Sequence, residues 1–160
     1  MGLMLDSSVI IGAEKGEFDL KALLRDKART EWIGMAAMTA SEILHGWWRA
    51  PAGKRKRRRR EFLDDILGTI PVWALDLLAA RKHAELWATL QSRGQMIGAH
   101  DLIIAATCLS AGHRFATLSE REFQRPGAGV GGRGEVCSLR CSGTAPQRTR
   151  RPWTQRKARS

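Results

Sequence analysis

Through about residue 125, short apolar runs alternate with amphipathic stretches. Leu3-Met4-Leu5 runs into Asp6-Ser7-Ser8, and Val9-Ile10-Ile11 follows. An apolar run closed by an acid and small hydroxyls reads as a buried parallel strand with polar chemistry at its C-terminal end. Asp19 is placed to cap a helix over residues 20–28, with Leu20, Leu23 and Leu24 on one face. Residues 32–36 read as a second strand. Thr39 or Ser41 is expected to open the next helix, which carries Ile43, Leu44, Trp47 and Trp48 and stops at Pro51-Ala52-Gly53. A further helix starts in the basic run that follows and continues through Phe62, Leu63, Ile66 and Leu67 to Gly68. Residues 70–75 read as a third strand. Asp76 caps a long amphipathic helix bearing Leu77, Leu78, Ala84, Leu86, Trp87 and Leu90, which ends at Gly94. Residues 98–111 form a strongly apolar helix that carries Asp101 and is closed by Gly112. Residues 114–118 read as a fourth strand, after which Ser119 caps a short helix through Glu122 and Phe123.

Strands that alternate with helices predict an α/β fold, a short and mostly parallel sheet flanked by helices, with polar chemistry gathered at the strand C-termini. The pattern breaks after Gln124. Residues 126–134 hold five glycines, and the remainder is rich in Arg, Ser, Thr and Pro. Such a segment buries too little apolar surface to offset the entropy of ordering it. One domain over residues 1–125 is therefore expected, with a basic, low-complexity and disordered tail over 126–160.

Charge changes this picture less than its total suggests. The chain has 160 residues and a net charge of +11. Seven of the basic residues form one run, Lys54, Arg55, Lys56, Arg57, Arg58, Arg59 and Arg60, and eight more lie in the tail with one acid. Twelve basic and fifteen acidic residues remain, so the rest of the chain carries −3. The picture is a mildly acidic domain with one patch able to attract phosphates. The three cysteines form no CxxC pair, which argues against a disulfide framework or a structural zinc site. With no long apolar run and no secretory leader pattern, the expected setting is a reducing cytoplasm, away from any membrane.

Four acids sit where this topology gathers side chains: Asp6 after strand one, Glu42 in the first turn of the helix after strand two, Asp101 in the first turn of the apolar helix, and Glu122 after strand four. Glu120 lies two residues before Glu122. Crowded carboxylates repel unless protons or a cation neutralise them. Mg²⁺ or Mn²⁺ suits such oxygen ligands, and the chemistry it supports is phosphodiester hydrolysis. His100 reads as a structural histidine rather than a ligand.

The stretches Met4-Leu-Asp6-Ser-Ser8-Val-Ile, Thr39-Ala-Ser-Glu42-Ile-Leu-His-Gly46, Gly98-Ala-His-Asp101-Leu-Ile-Ile-Ala-Ala-Thr107 and Arg114-Phe-Ala-Thr-Leu-Ser-Glu-Arg-Glu122-Phe123 resemble the successive motifs of PIN-domain ribonucleases. The VapC-type toxins of bacterial toxin–antitoxin pairs are the nearest match. The resemblance covers residues 1 to about 125. It implies a PIN-like fold and a Mg²⁺- or Mn²⁺-dependent endoribonuclease acting on tRNA or ribosomal RNA. It also implies restraint by a VapB-type antitoxin, and a homodimer. Asp6, Glu42, Asp101 and Glu122 take the acidic positions, with Asp6 and Asp101 as direct metal ligands and the other two acting partly through water. Ser8 matches a small polar position that orients a ligand or the scissile phosphate. The basic run from Lys54 to Arg60 is expected to guide RNA toward the acids or to attract an acidic antitoxin segment.

Two departures stand out. Ser119 occupies a position where relatives often carry Asn. Relatives also continue after Glu-Phe with a Val-Pro-Gly-Leu-like turn and a fifth strand, which is expected here to be missing or altered. Arg125-Pro-Gly-Ala-Gly-Val-Gly-Gly-Arg133 can be written in codons that, read one nucleotide later, give Val-Pro-Gly-Leu-Glu-Ser-Val-Val, so the tail is read as the product of a frameshift near residue 125. The competing expectation is a catalytically degenerate PIN domain that only binds RNA or antitoxin.

Overall fold

Gly2–Leu5, β1, is buried along its whole length and forms the centre of a five-stranded sheet ordered β3-β2-β1-β4-β5. The computed structural model describes residues 2–27, 29–118 and 136–138. β2 (Trp32–Ala36) pairs with β1 from Gly2↔Trp32 to Leu5↔Met35, and β4 (Arg114–Thr117) pairs on the other side with Leu5 opposite Ala116. β3 (Val72–Trp73) and β5 (Val136–Ser138) form the two edges. Every pairing is parallel, so all strand C-termini lie along one edge. The chain moves outward from β1 to β2 and β3, then returns to β4 on β1's other side. The strand order therefore reverses between β1 and β4, the point at which open α/β sheets place their ligands.

Among the described residues, six helices cover the sheet: α1 (Ser7–Glu14), α2 (Leu20–Lys27), α3 (Ala37–Trp48), α4 (Lys54–Thr69), α5 (Leu77–Ser92) and α6 (Ala99–Ser110). Side chains of a strand alternate between its faces. Leu3 and Leu5 pack with Val9, Ile10, Leu20, Met35, Ile43, Leu63 and Ile66 in the larger core, while Met4 joins Ile104, Cys108 and Phe115 in the smaller one. Both faces of β1 are thus apolar, the usual condition for a parallel sheet. A Cβ on Gly34 of β2 would lie 2.1 Å from the Trp73 ring, so the missing side chain leaves room for the indole across the strand.

Several boundaries differ from the expectations. Val9-Ile10-Ile11, which the sequence left without an assigned element, belongs to α1, whose N-cap Asp6 accepts a hydrogen bond from the Ser8 N–H. An apolar, β-branched run this short suits a buried helix as well as a strand. α3 starts at Ala37 without a side-chain cap, because β2 runs straight into it. Glu42 therefore stands in its second turn rather than its first. The third strand keeps two residues. A fifth strand is present, at Val136–Ser138, within the segment expected to be a tail. The expected helix from Ser119, and the rest of 126–160, lie outside the described residues.

β4 is tied to the start of β2 by an ion pair between Arg114 and Glu31, with Lys27 3.4 Å from the same carboxylate. The Arg114 guanidinium, through its hydrogen bond, holds the Glu31 carboxyl below the usual range, against the opposing effect of burial. A carboxyl whose pKa is lower in the folded chain adds stability above its unfolded pKa, and that stability disappears as pH falls through the lowered value. Glu31→Gln is expected to lower the urea midpoint at neutral pH and to flatten its decline on the acid side. Midpoints measured across the acid range check this, and an unchanged acid limb would sink it.

Candidate active site

Asp6 stands at the reversal point, directly after β1, and is 7% exposed. A carboxylate buried this deeply needs donors. Its Oδ2 accepts from Ser8 Oγ at 2.6 Å and from Thr117 Oγ1 at 3.0 Å. Ser8 Oγ in turn accepts from the Leu118 N–H at 3.0 Å and lies 3.1 Å from Thr117 Oγ1. The register explains the meeting: with Leu5 opposite Ala116, the next residues, Asp6 and Thr117, emerge together from adjacent strand ends. Ser8 thus fixes the orientation of Asp6. Thr117 was missed by sequence reasoning, although its place at the end of an apolar strand was a usable signal once β1 and β4 were paired.

Asp6, Glu42 and Asp101 line one open cleft of about 790 Å³, together with Ser7, Ser8, Ile11, Ser41, His45 and His100. Glu42 reaches it from α3, and its Oε1 lies 3.3 Å from Nδ1 of His100, which is 63% exposed. Asp101 comes from the first turn of α6, and a Cβ at Gly98 would lie 2.6 Å from its Oδ2, so the carboxylate folds back over that glycine. Three of the four expected acids are therefore gathered. Glu122, with Ser119 and Glu120, lies outside the described residues. His45 was not singled out by the sequence, and Ser41 only as a possible helix start, yet both line the cleft from α3.

Among the described residues, no three acidic, imidazole or thiol side chains stand close enough together to hold a metal ion. The donor chemistry nevertheless fits a hard divalent cation. Among the described residues, three carboxylates share a water-accessible cleft with hydroxyl and imidazole groups and with no lysine or arginine. Mg²⁺-type ions are held by one or two carboxylates and retain several waters, so they do not require a closed cage.

The basic run opens α4, and its seven residues do not all face solvent alike. Lys56 Nζ donates to the carbonyls of Trp48 (3.0 Å) and Ala50 (2.9 Å), closing the end of α3. Arg59 pairs with Glu14 at 3.2 Å, and Arg60 forks onto both oxygens of Asp64. Those three carry structural duties that composition does not reveal. Lys54, Arg55, Arg57 and Arg58 are exposed and make no such bond among the described residues.

The PIN domain family matches residues 3–128. The chain belongs to the PIN-domain family. This PIN domain is 32% identical over 134 residues to the VapC ribonuclease Y4jK of Sinorhizobium fredii, covering 80% of this chain and 94% of that relative. It is 29% identical over 126 residues to the ribonuclease VapC of Rickettsia bellii, covering 78% and 90%. Its fold is similar to a chain in the crystal structure of VapBC2 from Rickettsia felis bound to a promoter DNA fragment, with a TM-score of 0.75 at 20% identity, over 88% of this chain and 100% of that one. In this fold β1, α3 and α6 bring Asp6, Glu42 and Asp101 to the lining of one cleft.

Proposed function

We propose that this PIN domain is a VapC-type endoribonuclease toxin that hydrolyses RNA phosphodiester bonds and is restrained by a VapB-type antitoxin. The observation that carries this reading is the meeting of Asp6, Glu42 and Asp101 in one cleft at the sheet's reversal point. Asp6 and Asp101 would hold a Mg²⁺ or Mn²⁺ ion, with Glu42 and Glu122 completing its surroundings. When bound, such an ion polarises the phosphodiester and lowers the pKa of a coordinated water. Ser8 and Thr117 keep the Asp6 carboxylate in one orientation. Glu42 would accept a proton or steady a water, with His100 Nδ1 3.3 Å from its Oε1.

The compartment proposed is the cytoplasm, among tRNA and ribosomal RNA. No helix among the described residues is long and apolar enough to cross a membrane. Burial pushes the Cys108 thiol up to about 12, so it acts as a small apolar side chain rather than a reactive thiol. A homodimer is part of the proposal.

The test is cleavage of a mixed tRNA and ribosomal RNA pool in Mg²⁺, Mn²⁺ or EDTA. Cuts are expected with either metal, none in EDTA, and a loss of at least about a hundredfold in Asp101→Asn, since ligand loss should exceed the 10- to 100-fold effect of removing a ligand's supporting partner. A folded chain that cuts nothing would overturn the enzyme in favour of a degenerate binding domain. Cuts that persist in Asp101→Asn would overturn the assignment of the site.

A further inference from the structure

We propose that Trp48 is a base-stacking platform which, with the free cations at the start of α4, binds an unpaired stretch of RNA beside the cleft; this rests on the ribonuclease reading above. Trp48 ends α3 and is 69% exposed. Its neighbour Trp47 has a structural role: its indole N–H donates to the Lys56 carbonyl, and Lys56 and Arg60 lie over its ring at 5.1 and 4.8 Å. The Trp48 indole meets that joint through Trp47, with ring centres 4.7 Å apart, and through Lys56, whose Nζ lies 6.0 Å from the Trp48 ring centre. The rest of a large planar surface faces water.

Its position links it to the cleft. Ser41, His45 and Trp48 stand at i, i+4 and i+7, one stripe along α3. Ser41 and His45 already line the cleft. Trp48 continues that stripe one turn past His45, about 9 Å along the axis from Glu42 at 1.5 Å per residue. A base flanking the scissile bond can reach it.

The neighbouring charge supplies the other half of the recognition. Lys54, Arg55, Arg57 and Arg58 occupy the first turns of a sixteen-residue helix that has no acid in its first turn and no side-chain cap at Gly53. Cations there oppose the positive end of the helix dipole, an arrangement that a bound polyanion relieves. An acidic peptide satisfies the charges alone. A single RNA strand satisfies both features, because it presents planar bases and phosphates in series. It also needs such a patch, since the cleft's own carboxylates repel its backbone.

The experiment uses the full chain carrying Asp101→Asn, so that bound RNA stays intact, and follows the fluorescence anisotropy of a labelled short oligoadenylate. Adding Trp48→Ala is expected to weaken binding about tenfold, with Trp48→Phe restoring most of it. Neither change moves the slope of log Kd against log salt, whereas Arg57→Gln with Arg58→Gln lowers it by about 1.4. A base-free strand of the same length should bind equally to the parent and to the Trp48→Ala chain. The proposal is overturned if Trp48→Ala leaves oligoadenylate binding intact, or if the base-free strand loses as much affinity as the oligoadenylate. It is also overturned if only binding of an acidic peptide suffers, which would assign the surface to a protein partner. Metal-dependent cleavage by the unmutated chain separates the two levels. Cleavage with no Trp48 effect removes the platform alone, whereas a chain that neither binds nor cuts RNA removes the ribonuclease reading with it.

Discussion

Asp6→Asn is expected to reduce metal-dependent RNA cleavage by about a thousandfold or more while leaving the fold almost unchanged. The two effects separate because Asp6 has two jobs. As the N-cap of α1 it offers an oxygen to backbone and hydroxyl donors. Asn caps as well as Asp does, so the change costs well under about 1 kcal/mol there, and one amide oxygen can still accept from Ser8 and Thr117. As a carboxylate beside the cleft it supplies negative charge, which Asn lacks. Lewis-acid stabilisation of a phosphoryl transition state is worth several kcal/mol, and about 4 kcal/mol corresponds to about a thousandfold in rate. Asp6→Ala removes both jobs and should lose about 1 kcal/mol of stability besides. Initial rates at saturating Mn²⁺, with thermal melts on the same samples, distinguish these outcomes. Near-normal cleavage by Asp6→Asn would remove Asp6 from the chemistry.

The difference between what was legible in the sequence and what was not follows from where the information lies. β2 was readable to the residue because a short apolar run follows the polar Arg29-Thr30-Glu31 and leads toward the start of a helix. α5 was readable because Asp76 caps it, accepting from the Ala79 N–H at 2.8 Å, and Gly94 follows its end with φ at +64°. α1 was not, because Val9-Ile10-Ile11 carries no period that separates helix from strand. The start of α3 was missed because it has no cap, and Thr39, which resembled one, is buried in its first turn. Asp6 could be found as an acid closing an apolar run, and Glu42 and Asp101 as acids at the starts of helices. Thr117 and His45 could not, since their meeting with the acids depends on strand order and helix phase. The basic run showed its charge but not its contacts. Lys56, Arg59 and Arg60 have partners six or more residues away or one helical turn on, and only packing selects which cations stay exposed without such a bond among the described residues.

That packing rests on few residues, which gives the second large effect: Leu63→Ala is expected to destabilise the chain by about 3 kcal/mol. Leu63 is 1% exposed and Ile66 2%, and they are the buried residues of α4. Its first two turns hold none, and they crowd cations at i, i+3 and i+4, each like-charged pair costing up to about 0.5 kcal/mol. α4 therefore keeps its shape by docking, through Leu63 and Ile66 with the partly buried Phe62 and Leu67, onto the core that includes Ile10, Met35 and Ile43. Truncating Leu63 removes buried area and leaves a cavity whose walls belong to several elements, so collapse can fill only part of it. Leu63→Met nearly conserves the volume and should cost less than about 1.5 kcal/mol. Urea unfolding is the suitable measurement, because guanidinium is itself a salt and would screen the cations under test. Added NaCl should recover part of the loss in Leu63→Ala, since screening eases the crowding that docking no longer opposes. A loss below about 1 kcal/mol, or one indifferent to salt, would mean that α4 is held by something other than its apolar face.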